Sequence, residues 1–325
     1  MKRSGLNVKF YEVFGDEKKQ LQYFLPKTLR TEFTSRTIQE EKELGPPATL
    51  ICTRTQSIVP LTWGKHIGGI LTRSQGYDHL QKIARAYKGK LVCGYLDEYC
   101  ARAVAEHVVM VMSALMRGLK RQMRNLQSFR REDMTGCEML GKNLLVIGVG
   151  NLGREIVNVA HALRMNVKGV DVVRRLKSVH YVSLEQGMRW ANIVVCALPL
   201  TEKTRGLLNY RVFKKSKQGV LFINVSRGEI SPLGDLRRLM KESVVRALSL
   251  DVYESEAMLA DSLRRKNKNK SKFVRDILEL SARDNVLLTP HNAFNTHEAL
   301  IEKCRQTAEE IKRFFKNGTF RRTVG

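Results

Sequence analysis

The chain lacks any long apolar run. Its most hydrophobic helical stretch, "AVAEHVVMVMSALM" at 103–116, is too short for a membrane span and is interrupted by Glu106 and His107. The opening "MKRSGLNVKFYEV" is basic but soon alternates polar with apolar residues, without the apolar block and small-residue cleavage site of a secretory signal. Neither a membrane nor export is expected. The six cysteines (Cys52, Cys93, Cys100, Cys137, Cys196, Cys304) form no CxxC pair, and most sit among apolar residues. That argues against a disulfide framework or a zinc site and for buried free thiols in a reducing compartment, with the cytoplasm as the default. There is no repeat of fixed period and no close Cys/His cluster, so no metal is expected.

Acidic residues are scarce: 32 Asp and Glu face 57 Lys and Arg, a formal net charge of +25 at pH 7. Such a balance attracts anions from small carboxylates to nucleic acid and says nothing about fold. By itself it does not make nucleic acid an expected partner. The only biased segment, "SLRRKNKNKSKFVRD" at 262–276, holds seven Lys or Arg. It reads as a solvated loop between the last helix and strand of a second domain rather than as an arm for polyanions.

Against these absences stands an ordinary globular composition, 43% apolar and 27% charged, in 325 residues, enough for two domains. Short β-rich runs at 6–13, 48–53, 68–73 and 90–95 alternate with helix-capable sequence, which predicts βαβ crossovers and a parallel sheet. A long helix is expected from 103 towards 127. Strands follow at 143–148, 166–171, 191–198, 219–225, 245–252 and 286–289, six in one block, as in a doubly wound sheet. A final amphipathic helix at 296–316 carries Leu300, Cys304, Ala308, Ile311 and Phe315 at helical spacing, with Asn295 or Thr296 as N-cap.

The most informative stretch is "KNLLVIGVGNLGREIVNVAHALRMNVKGVD" at 142–171. An apolar strand leads into Gly148, Gly150 and Gly153, then a helix face, a second strand and Asp171. Gly148 permits the tight turn, Gly150 lets a pyrophosphate approach the backbone, and Gly153 lets helix and strand pack closely. Asp171, placed to accept from ribose hydroxyls, favours NAD over NADP because its charge would repel a 2′-phosphate. Arg174 and Arg175 lie close by and offset part of that repulsion.

Three further strands end in polar residues: "FINVSRGEI" (222–230), "ALSLDVYESE" (247–256) and "LLTPHNAF" (287–294). Arg227, Asp251, Glu256 and His291 thereby fall at the C-terminal edge of the sheet, where open α/β sheets bind ligands. An arginine pairs with a carboxylate in bidentate fashion, and a histidine exchanges protons near neutrality, so the set suits hydride transfer to a 2-oxo acid. A nearby glutamate would orient the imidazole and favour its charged form. Glu254 is the nearest rival to Glu256 and reads as a solvated neighbour, while His79, His107 and His297 read as structural.

With "RSQGYDH" (73–79), "RAVAEH" (102–107), "VIGVGNLG" (146–153), "ALPLTEKTRGLLN" (197–209), "NVSRGEI" (224–230), "LDVYESE" (250–256) and "TPHNAFNT" (289–296) in order, the whole chain resembles the D-isomer-specific 2-hydroxyacid dehydrogenase family. The resemblance implies an α/β fold of two doubly wound parallel-sheet domains with a cleft between them: a flavodoxin-like substrate domain, 1–102 with 292–325, and a Rossmann NAD-binding domain, 103–291. It implies that Arg227 binds substrate, that His291 is the acid/base with Glu256 as its partner, and that Gln75, Gly76 and Tyr99 meet the substrate. It assigns the cofactor to Gly148, Gly150, Asn151, Leu152, Gly153, Asp171, Leu198, Pro199, Val225, Ser226 and Asp251, the last to the nicotinamide carboxamide. A homodimer is implied as well. The alternative on the same fold is an NAD(H)-binding, corepressor-like regulatory protein. Substrate choice would lie in the loops around 52–56, 73–78 and 95–101, where Arg54 reads as an exposed arginine.

Overall fold

Two parallel sheets organise the computed structural model, which describes residues 6–265 and 271–324. The chain forms two compact units, 1–100 with 295–325, and 101–294. The boundaries expected at 102 and 291 lie two and three residues from these.

The sheet of the first unit contains β1 (Val8–Phe10), β2 (Thr31–Phe33), β3 (Leu50–Thr53), β4 (Gly69–Thr72) and β5 (Val92–Tyr95) in the order β2-β1-β3-β4-β5. This is a doubly wound order with its switch between β1 and β3. The second sheet contains β6 (Asn143–Ile147), β7 (Asn166–Val170), β8 (His180–Tyr181), β9 (Ile193–Cys196), β10 (Val220–Asn224), β11 (Val245–Leu250) and β12 (Val286–Leu288). Their order is β12-β11-β10-β9-β6-β7-β8, the dinucleotide-binding arrangement with its switch between β6 and β9. Central strands such as β3 and β10 are buried at every residue, as expected of parallel strands covered on both faces.

The structure corrects the sequence reading in four places. The edge strands β2 and β8 have three and two residues, too short to show an alternation of their own. The long helix from 103 is two pieces, Ala101–Met116 and Leu119–Asn125, separated by Gly118 at φ 61°. In the last helix, His297–Asn317, Thr296 is the cap, and Phe314 rather than Phe315 packs inward, stacking on Phe320. The basic segment is not all loop: helix Glu256–Arg264 takes in its start and helix Lys272–Ser281 its end, while 266–270 lie outside the described residues. Ser271 caps the second of these helices by accepting from the Val274 N–H, and Val274, Ile277 and Leu280 bury one face at helical spacing. Apolar spacing thus overrides local charge, and Arg264, Arg265, Lys272 and Arg275 remain exposed.

The C-terminal ends of β1 and β3 are clamped by Arg73, which is fully buried. Its guanidinium donates to the carbonyls of Tyr11 (2.9 Å), Glu12 (3.2 Å) and Cys52 (3.2 Å) and to the Glu17 carboxylate (3.1 Å). Lys303, also buried, reaches the same Glu17 oxygen at 2.8 Å. Burial alone would raise the Glu17 carboxyl, but the two cations more than offset it and hold it at about 2 against the usual 4.5. Because the folded value is depressed, this stabilisation is present above pH 4.5 and is lost as pH falls towards 2.

Replacing Arg73 with Met should cost about 3–5 kcal/mol, since it strands a buried carboxylate and several carbonyls. A urea midpoint within error of wild type would contradict the clamp. Glu17→Gln should flatten the acid limb of a stability profile between pH 4.5 and 2.

Candidate active site

In the second unit the sequence-predicted residues follow the C-terminal ends of parallel strands. The glycine turn follows β6, Asp171 follows β7, Leu198–Pro199 follow β9, Val225–Arg227 follow β10, Asp251 follows β11 and His291 follows β12. They therefore share one sheet edge, spread on both sides of the switch point.

The three glycines meet different constraints. Gly148 has φ +93°, and a Cβ there would lie 2.7 Å from the Ala197 carbonyl oxygen. At Gly153 a Cβ would lie 1.9 Å from the Gly148 carbonyl oxygen, so the first turn of helix Asn151–Ala162 rests directly on the loop. A Cβ on Gly150 would meet nothing within 4 Å. Its side of the turn is open, at the N-terminus of a twelve-residue helix whose first N–H groups have no acceptor within the helix. Asp171 accepts from Val149 N–H (2.6 Å) and Val173 N–H (2.9 Å), one on each oxygen. Each oxygen keeps lone-pair capacity for a hydroxyl. The turn thus fits a dinucleotide phosphate beside a ribose acceptor.

The loop after β10 is organised by Asn224, a fully buried residue that sequence reasoning missed. Its side chain accepts from Ser226 N–H (3.0 Å) and donates to the Arg227 carbonyl (2.9 Å) and the Ser231 hydroxyl (2.9 Å). The Ser226 hydroxyl in turn donates to the Leu198 carbonyl, tying the β10 loop to the β9 loop. Gly228 packs on the backbone of Tyr253 and Glu254, where a Cβ would lie 2.0 Å from the Tyr253 carbonyl carbon. Arg227, half-buried, donates through Nη1 to the Ser226 carbonyl. A polar residue closing an otherwise apolar strand is the signal that could have singled out Asn224.

His291 and Glu256 form a pair. The imidazole Nδ1 lies 2.8 and 2.9 Å from the two carboxylate oxygens, with side-chain exposures of 21% and 24%. An ionised carboxylate only accepts, so Nδ1 carries the hydrogen and Nε2 is left to exchange protons. Glu254, the rival in sequence, accepts instead from the Leu233 N–H at 2.8 Å. His291 itself has φ +51°, a left-handed conformation that costs a non-glycine residue about 1–2 kcal/mol. The compensation comes from Asp251, 2% exposed, which accepts from the Thr289 hydroxyl (2.6 Å) and the N–H groups of Asn292 (2.8 Å) and Ala293 (3.0 Å). The Tyr253 hydroxyl donates to the Thr289 carbonyl at 2.8 Å. Asp251 is thus chiefly the anchor of the loop that presents the histidine.

In the first unit Gln75 and Gly76 follow β4 and are half-buried. Their turn is set by Ser74, whose hydroxyl donates to the Gly76 carbonyl at 2.7 Å. Tyr99 packs on the core of that unit, and burial pushes its hydroxyl well above the usual range. Five of the six cysteines are buried, and Cys137 is exposed. Among the described residues no helix is long and apolar enough to cross a membrane. The chemistry assembled in the second unit is an anion-binding helix end, an arginine, and an imidazole oriented by a carboxylate.

The profile of the D-isomer specific 2-hydroxyacid dehydrogenase NAD-binding domain matches residues 109–293. A 2-hydroxyacid dehydrogenase homolog of Haemophilus influenzae is 33% identical over 221 residues, 66% of this chain and 65% of that protein. D-lactate dehydrogenase of Escherichia coli is 30% identical over 257 residues, 77% of each chain. Among solved structures, D-lactate dehydrogenase from Aquifex aeolicus, complexed with NAD and lactic acid, superposes with a TM-score of 0.87 over 96% of both chains at 27% identity.

Substituting Gly153 with Ala should destabilise the protein by about 3 kcal/mol, because backbone must move to admit the methyl group. An unchanged Tm would mean that the loop and helix are not in the contact described.

Proposed function

Because the chain belongs to the D-isomer specific 2-hydroxyacid dehydrogenase family, we propose that it transfers a hydride between NAD(H) and a small 2-oxo or 2-hydroxy acid of D configuration. The observation that carries this reading is the His291–Glu256 pair, held at the same sheet edge as the glycine turn.

The pyrophosphate rests on the turn from Gly148 to Gly153, with the N–H groups of Asn151 and Leu152, and Asp171 takes the ribose hydroxyls. Leu198, Pro199, Val225 and Ser226 line the remainder of the cofactor site, and Asp251, through its remaining lone pair, takes the carboxamide. Bound there, NADH supplies the hydride. NAD is preferred to NADP because the Asp171 carboxylate repels a 2′-phosphate. Arg227 pairs with the substrate carboxylate and polarises the adjacent carbonyl. The family resemblance also assigns Gln75, Gly76 and Tyr99 of the first unit to the substrate. In reduction, His291 delivers a proton from Nε2 to the carbonyl oxygen while Glu256 holds Nδ1 and stabilises the charged ring; in oxidation the same nitrogen removes it. The protein acts as a cytoplasmic homodimer.

A panel of 2-oxo acids assayed by NADH oxidation tests the reading. At least one should be turned over, and His291→Ala or Arg227→Ala should lower kcat/KM by about 10²–10⁴-fold. Wild-type activity in His291→Ala would remove the acid/base assignment. NADH binding without turnover of any acid would favour a regulatory protein on this fold. Gly150→Val should keep the wild-type Tm, since its side of the turn is open, and lose NADH binding measured by fluorescence.

A further inference from the structure

His107, which in the sequence reads as structural, takes no part in the site described so far. It lies on helix Ala101–Met116, and its Nε2 is 3.4 Å from the hydroxyl oxygen of Thr289, 182 residues further along the chain. The hydrogen-bond directions follow from the partners. Asp251 Oδ1 can only accept, so the single Thr289 hydroxyl proton goes to it at 2.6 Å. The Thr289 oxygen is then an acceptor towards His107, which must present Nε2–H. The same Asp251 oxygen holds Asn292 N–H at 2.8 Å, and its partner oxygen holds Ala293 N–H at 3.0 Å. Between these anchored residues sits His291 at φ +51°. Burial lowers the His107 pKa, with the Asp251 charge opposing, which favours the neutral ring that this chain of bonds uses.

We propose that His107 is a positioning residue for the His291 imidazole, acting through Thr289 and Asp251. The proposal rests on the reading of His291 as the acid/base. A donor at His107 Nε2 fixes the rotamer of the Thr289 hydroxyl, which keeps Asp251 oriented so that its other lone pairs meet the loop N–H groups. Those two bonds sustain the left-handed backbone at His291 and with it the direction of Nε2. Slackening at His107 therefore reaches the proton-transfer step and, through Asp251, only the carboxamide end of the cofactor site, while the glycine turn and Asp171, which hold the rest of NADH, are untouched.

The experiment compares His107→Leu, His107→Gln, Thr289→Val and Thr289→Ser with wild type and His291→Ala in NADH-dependent reduction of pyruvate, or of whichever 2-oxo acid is turned over fastest. His107→Leu should lower kcat about tenfold, the worth of one lost hydrogen bond, with a much smaller change in the NADH dissociation constant, because most of the cofactor's contacts lie elsewhere. His107→Gln, whose amide reaches the same position, should recover most of it. Thr289→Val, which also removes the hydroxyl bond to Asp251, should lower kcat at least as far as His107→Leu, Thr289→Ser should stay near wild type, and the double variant His107→Leu/Thr289→Val should lose no more than Thr289→Val alone. Wild-type kcat in His107→Leu, losses that multiply in the double variant, or weakened NADH binding in step with kcat would overturn the proposal. Those results with an inactive His291→Ala strike the positioning role alone, whereas an active His291→Ala strikes the acid/base reading itself.

Discussion

A single buried carboxylate holds the candidate catalytic loop in place. Asp251 spends three hydrogen bonds on residues 289–293 and so maintains His291 in a backbone conformation that side chains otherwise avoid. Without that anchor the loop could relax, and the Nδ1 contact to Glu256 would no longer direct Nε2. The anchor is satisfied from its own side as well, because the Asp251 N–H donates to the Asn224 carbonyl at 3.0 Å. Asn224 organises the loop of Arg227. The two residues assigned to substrate chemistry are therefore supported by one connected set of buried polar groups at the ends of β10, β11 and β12.

The first unit uses the same device for a different end. Arg73 gathers the carbonyls where β1 and β3 finish, and Glu17 balances it together with Lys303. Buried charges are tolerated there because each has a partner and nearly every donor has an acceptor. Parallel sheets leave their strand-end carbonyls on one edge, so both units must satisfy those groups with side chains or ligands.

Much of this was readable in advance, and the reasons are local. Gly148, Gly150 and Gly153 stand in one turn between an apolar strand and an apolar helix face, so spacing alone conveys their purpose. Strands of four to six residues with unbroken apolar character were recognisable, whereas β2 and β8 were not. The 262–276 segment misled because its seven cations dominate a reading of composition, although Val274, Ile277 and Leu280 already mark a buried face. Phe314 and Phe315 are adjacent, and only the helix's rotation against its neighbours selects the inner one. Asn224 and Thr289 were not singled out, and His107 read only as structural, because their significance lies in partners distant in sequence.

The amino-acid order alone determined the alternation of strands and helices, the glycine turn with its closing aspartate, and the candidacy of Arg227, Glu256 and His291, since each is a pattern within a few tens of residues. Tertiary structure decided the rest. It set the strand orders around the two switch points, put Glu256 against His291 and Glu254 against the Leu233 N–H, and turned Asp251 chiefly into an anchor. It also brought His107 to Thr289 across 182 residues. Such pairings depend on how helices and loops pack against a finished sheet, and no local periodicity encodes them.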